Sequence, residues 1–154
     1  MNRKINTIRD LALVEKELGS ANAGVVSISL KKEGFAQFAT NFVYQNKNIF
    51  FYLENEELLR KIKFDSLAKF TILKDKNVTK ELVDEKDTLY RLFSIVVTGS
   101  IREAEEQKTI KNVAQSFIEK YSGKLLYSDK DNQLKGKLLI VDSEELLAFD
   151  ELGF

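Results

Sequence analysis

Residues 24 to 53 carry the clearest period-two signal in the chain. In "GVVSISLKKEGFAQF", Val26, Ile28 and Leu30 face one way while Ser27 and Ser29 face the other, which predicts a strand. The "KKEG" turn reverses the chain into a second strand from Phe35 to about Tyr44. A second polar turn, "QNKN", leads to a third strand, Ile49 to Leu53, apolar on both faces, so the three read as an antiparallel meander. "LAKFTIL" predicts a fourth strand and "YRLFSIVVTGSIREAE" a long fifth, in which Gly99 marks a bulge or a close backbone approach. The segment Leu134 to Val141 predicts a sixth, and "LLAFDELGF" a short closing element.

Helical spacing appears three times. Ile5, Ile8, Leu11, Ala12 and Leu18 suggest a first helix over residues 3 to 18, stopped at Gly19. Asn55 is a candidate N-cap, with Glu56 and Glu57 in a first turn where carboxylates meet the positive helix end. That helix is expected to reach about Phe64. From Ala104 the residues Ile110, Val113, Ala114, Phe117, Ile118 and Tyr121 mark a third helix, with Gly123 as its stop and "DKDNQ" as the following turn. Residues 74 to 88 are charged and weakly patterned and read as a loop with a helical turn. Six strands at hairpin spacing with flanking helices predict a mainly β, α+β fold: a small antiparallel six-stranded barrel, one domain over residues 1–154.

Composition removes several chemistries. The chain has neither His nor Cys, so triads, thiolate or imidazole metal sites and disulfides are excluded. Ser27, Ser29 and Ser94 therefore have no base to activate them. The acidic pairs Glu56–Glu57, Glu105–Glu106 and Glu144–Glu145 are sequence neighbours, which do not face each other on a helix, so no metal or two-carboxylate site is expected. Twenty-four basic and twenty-four acidic residues cancel and interleave, which argues against a nucleic-acid partner. The N-terminal stretch holds no long apolar run, so neither a signal peptide nor a membrane partner is expected, and the cytoplasm is the default location.

The order of elements resembles the FMN-binding split-barrel family, the superfamily of pyridoxamine 5'-phosphate oxidase and its small relatives. Three stretches carry the resemblance. "GVVSISLKKEGFAQFATNFVYQNKNIFFYLENEELLRKIKFDSLAKFTIL" is similar to the family's strand–turn–strand–turn–strand–helix–strand block. "YRLFSIVVTGSIREAEE" resembles its strand with an internal Gly, and "LLIVDSEELLAFDELGF" the closing strands of the haem-utilisation branch. The resemblance implies an antiparallel six-stranded split β-barrel that pairs as a homodimer, with FMN in a groove at the interface. It also implies an oxidoreductase working on a small-molecule substrate with no catalytic side chain of its own. The alternative is a non-catalytic flavin- or haem-handling module.

Carried over by position, Thr40, Asn41 and Phe42 fall beside the flavin or ribityl chain, and Arg60 and Lys61 at the phosphate. Each has a plainer reading. Strand rings such as Phe42 and Phe51 fill cores. Thr40 on a strand can face solvent, and Arg60, Lys61 and Lys63 can form a solvated helix face paired to Glu56 and Glu57. The chain also departs from the family. Glu54 and Asn55 stand where a Ser or Thr is usual, so either Glu54 points away from the phosphate or the site is degraded. The His used by pyridoxamine phosphate oxidases and by the haem-utilisation branch is missing. Arg91 and Arg102 are expected to be charges on the barrel rim.

Overall fold

A computed structural model describes residues 2–76, 89–121 and 136–153. Their elements, in chain order, are β1 (Arg3–Thr7), α1 (Leu11–Ser20), β2 (Gly24–Ser29), β3 (Phe35–Thr40), β4 (Val43–Gln45) and β5 (Asn48–Leu53). There follow α2 (Glu56–Lys61), β6 (Leu67–Lys76), β7 (Tyr90–Glu103), α3 (Gln107–Tyr121) and β8 (Lys137–Gly153). The strands form one antiparallel sheet in the order β3-β2-β6-β7-β8-β5-β4, with β1 added beside β8. The two ends of this path, β3 and β4, are joined through Asn41 and Phe42 alone. A sheet whose first and last strands are two residues apart has to curl back on itself, and that curl is the split barrel.

Among the described residues there are eight strands, two more than the sequence pattern predicts. The extra strands have physical causes. Residues 3–7 do not open a helix: they pair with Gly153 back to Phe149 along the otherwise open edge of β8. The first helix starts only after Asp10, whose side chain accepts from the Leu13 N–H, and it runs through Gly19 to Ser20. The second expected strand breaks at Asn41–Phe42. Its first half pairs with β2 and its second half with β5, so the three do not form a simple meander.

At the C-terminus, the sixth strand and the closing element merge into a single 17-residue β8. The polar run Asp142–Glu145 is no break in that strand. It is where the β7 partner shifts, with Thr98 opposite Glu145 but Gly99 opposite Ser143. A Cβ on Gly99 would sit 2.0 Å from the Asp142 carbonyl oxygen, so the predicted close backbone approach is real. The rest of the expected loop at 77–88, the turn "DKDNQ" and the stop at Gly123 lie outside the described residues; 74–76 extend β6.

Alternation sorts the strands into two cores. Val26, Ile28, Phe42, Phe51, Phe70, Ile95 and Val97 fill the barrel with Val14 and Leu18 of α1. On the other side of β4, β5 and β8, α3 covers Val43, Phe50, Leu138 and Ile140 with Val113, Phe117 and Tyr121. The double-sided burial explains why β5 is apolar throughout. Elsewhere the sheet's outer face stays open, and the register aligns Ala39, Val25, Thr71, Val96 and Leu147 across five strands. Val25 is 37% and Leu147 39% exposed, and Leu73, two residues along β6 from Thr71, is 66% exposed.

Candidate functional site

Helix α2 presents the basic pair. Asn55 caps it by accepting from the Leu58 N–H at 3.0 Å, with Glu56 and Glu57 in the first turn and Arg60 and Lys61 in the last. Lys61 lies against Glu57, Nζ to Oε1 at 3.0 Å, as a surface pair one turn apart. Arg60 forms no ion pair or side-chain hydrogen bond among the described residues. It lines a groove of about 330 Å³ together with Glu56, Leu59, Phe64, Glu103 and Lys137. Small-molecule sites occupy roughly 300–1,000 Å³, so the groove lies at the small end of that range. Lys137 and Glu103 neutralise each other across 3.1 Å. Glu54 is exposed and is not among the lining residues.

The other candidates sit elsewhere. Thr40 pairs with Gly24 at the start of β2, whereas the Lys61 carbonyl accepts from the Lys31 N–H just beyond its end. Gly24 and Leu30 are six residue steps apart, a span of about 20 Å at ~3.3 Å per residue. Within one chain the structure does not bring Thr40, Asn41 and Phe42 to Arg60 and Lys61. Their polar atoms are also engaged locally. Thr40 Oγ1 donates to the Asn41 carbonyl at 3.0 Å, and Asn41 Nδ2 donates to the Asn22 carbonyl at 2.9 Å. Phe42 is fully buried against Phe70, ring centroids 4.5 Å apart.

Two residues at the end of α3, neither of them a site candidate in the sequence, fix that corner. Tyr121, 1% exposed, accepts from the Phe42 N–H at 3.1 Å and lies 2.7 Å from the Asn22 carbonyl and 3.0 Å from that of Phe42. Lys120 Nζ donates to the same Phe42 carbonyl at 2.8 Å and stands 4.0 Å above the Phe42 ring. Helical periodicity marks Tyr121 as core, and nothing in the sequence indicates that its hydroxyl bridges two loops.

A second chamber, of about 420 Å³, adjoins the first and shares Glu103 and Lys137 with it. Its remaining walls are largely apolar: Tyr52 and Leu138 from the sheet, and Ile110, Ala114 and Ile118 from α3. Lys137 and Glu103 were not site candidates either, since two isolated charges 34 positions apart carry no spacing signal.

Titration is perturbed away from the grooves. Burial, then the hydrogen bond it donates to Glu15 at 2.9 Å, pushes the Tyr44 hydroxyl up to about 12. A hydrogen bond from Lys74 holds the Glu17 carboxyl below its ordinary range, with Lys76 adding to it against partial burial. Arg91 and Arg102 are rim charges as expected: Arg91 forks onto Asp150 at 3.0 and 2.8 Å, and Arg102 meets Asp142 at 2.7 Å. No group of three or more Asp or Glu side chains among the described residues is placed to hold a metal ion. No helix among them is long and apolar enough to cross a membrane.

An anion fits the Arg60 groove. Its guanidinium has no competing partner among the described residues, Leu59 and Phe64 supply apolar wall, and the Glu103 carboxylate is offset by Lys137. Glu56 is the opposing charge.

Comparison with known proteins places the fold. No family model matches the sequence, and no curated protein does. Solved structures match over nearly the whole chain. A candidate 5-nitroimidazole antibiotic resistance protein from Bacteroides thetaiotaomicron has a TM-score of 0.73 at 17% identity, covering 100% of this chain and 93% of that one. A FAD-binding protein from Mesorhizobium loti has a TM-score of 0.66 at 11% identity, covering 95% and 97%. HutZ, the haem storage protein of Vibrio cholerae, has a TM-score of 0.62 at 12% identity, covering 90% and 94%. The chain shares its fold with these structures and is the split barrel that its element order implied.

Proposed function

We propose that the protein is an FMN-binding oxidoreductase of the pyridoxamine 5'-phosphate oxidase-like split-barrel type, working in the cytoplasm as a homodimer on a small-molecule substrate. The observation that carries this reading is an Arg60 guanidinium with no ion pair or side-chain hydrogen bond among the described residues, in a groove that Leu59 and Phe64 wall in part. Arg grips a phosphate through two parallel charge-assisted bonds, and an unpaired one sacrifices no existing ion pair to do so. Lys61 is the weaker candidate because Glu57 already holds it. Bound FMN supplies the hydride or electron chemistry, which a chain without His or Cys does not supply from its own side chains. The chain's part is to hold the phosphate and to exclude water beside the apolar walls. The dimer draws its support from the outward row of Ala39, Val25, Thr71, Val96 and Leu147, since contiguous exposed apolar surface marks interaction sites. Thr40, Asn41 and Phe42 lie at the far end of β2, so their contact with the same flavin requires a second copy to supply them.

The fold likeness to HutZ and the Glu56 carboxylate in the groove favour a second reading, a non-catalytic flavin- or haem-handling module. Purified protein separates the two. Bound oxidised flavin that NADH or NADPH bleaches supports the oxidoreductase. Bound flavin that neither donor reduces, or a haem spectrum, supports the module, and indifference to both ligands defeats both readings.

A further inference from the structure

We propose that the chamber beside α3 is a binding site for a zwitterionic apolar ligand, an α-amino acid with a branched aliphatic side chain. The site stands apart from Arg60 and does not rest on the flavin reading. Helix α3 carries more apolar surface than its packing uses. Val113, Phe117 and Tyr121 are buried against the sheet. Ile110, Ala114 and Ile118, each one turn from the next along the neighbouring flank, are half-buried and line the chamber. The small Ala114 between two isoleucines leaves a hollow, and Tyr52 and Leu138 of the sheet form its other wall. Its volume of about 420 Å³ lies within the roughly 300–1,000 Å³ of small-molecule sites.

The class of ligand follows from the charges in the wall. Among the described residues that line the chamber there is one cation and one anion, Lys137 and Glu103, Nζ to Oε1 at 3.1 Å. Their side chains are 59% and 39% exposed, so both charged ends remain open to a ligand. A lone carboxylate is attracted by Lys137 but repelled by Glu103 beside it, and a lone amine meets the reverse. A zwitterion laid alongside the pair, its carboxylate to Lys137 and its ammonium to Glu103, meets an opposite charge at each end and leaves the existing ion pair intact. Its aliphatic side chain then leaves water for the isoleucine wall, where burial is favourable. A charged side chain in that place would be stranded against hydrocarbon, where desolvation is costly.

Titration of the intact protein with L-leucine, followed by methyl-resolved NMR, tests the site. Saturable shifts at the Ile110, Ala114 and Ile118 methyls are expected. Isocaproate, which lacks the ammonium, and isoamylamine, which lacks the carboxylate, should each bind about fivefold weaker or more, and glycine should leave those methyls unmoved. Lys137→Gln should remove the preference for leucine over isoamylamine, and Glu103→Gln the preference over isocaproate. Equal affinity of the unaltered protein for the three ligands would overturn the zwitterion assignment. No shift at these methyls with millimolar leucine would overturn the site itself. Ala114→Leu, which fills the hollow, should abolish leucine binding, and undiminished binding in that variant would place the ligand elsewhere. If Ala114→Leu does not fold, the ligand series on the unaltered protein decides alone.

Discussion

Tyr121 illustrates how much one hydroxyl can hold. It sits buried where α3 reaches the β3–β4 corner, accepting from the Phe42 amide and facing the Asn22 and Phe42 carbonyls. Tyr121→Phe keeps the ring and strands the Phe42 N–H, while the Phe42 and Asn22 carbonyls keep their bonds from Lys120 and Asn41. Leaving a buried polar group unpaired costs about 1–3 kcal/mol, so the urea midpoint should fall with an unchanged slope. An unchanged midpoint would mean that water replaces the hydroxyl. Tyr44 provides a test in pH. Its neutral form is favoured in the fold, and its pKa rises to about 12 from an ordinary 10.0. The unfolded chain then loses this proton first, so the contribution is complete below pH 10 and is lost as pH rises from 10 toward 12. Tyr44→Phe should flatten the alkaline limb of the stability profile. For Glu17 the sign is opposite. Its lowered pKa contributes stability above the ordinary carboxylate range, lost as pH falls through the folded value.

Among the elements, the start of α2 and the special position of Gly99 in β7 were the most legible in sequence, because each is marked by local chemistry. Asn55 caps α2 where its position before two glutamates indicated, and Asn55→Ala should cost about 1 kcal/mol in thermal or urea unfolding. Gly99 was marked by its place inside an apolar strand, and the structure puts the Asp142 carbonyl where its Cβ would be. Gly99→Ala is accordingly expected to destabilise by about 1–3 kcal/mol or more, or to slide the register of β8, which amide exchange along residues 137–153 would reveal. What escaped the sequence was non-local. Residues 3–7 have no inward face, every one being exposed, and become a strand only because β8 offers an edge. The break at Asn41–Phe42 is imposed by barrel closure and by Tyr121 from 79 residues away, which no local pattern encodes. Arg60 and Lys61 were found together by their position, but only the fold distinguishes Lys61, paired to Glu57, from Arg60, which has no ion pair among the described residues.

At the scale of the whole molecule, the curled sheet separates two kinds of surface. The outer face carries the apolar row through Val25 and Leu147, and elsewhere lie two cavities that share Glu103 and Lys137 in their walls. The row predicts self-association: sedimentation should give a dimer, and Val25→Glu with Leu147→Glu should give a monomer that keeps its fold and circular dichroism. A monomeric unaltered protein would remove the dimer from the account and leave the groove on one chain to act alone. The central claim, that Arg60 receives an anionic tail beside an apolar chamber, is most directly tested by titrating FMN against riboflavin, which differ only in the phosphate. Two charge-assisted bonds at about 1.5–3 kcal/mol each predict that FMN binds at least tenfold tighter, and that Arg60→Ala, but not Lys61→Ala, abolishes the difference. Equal affinity for the two ligands in the unaltered protein would contradict it.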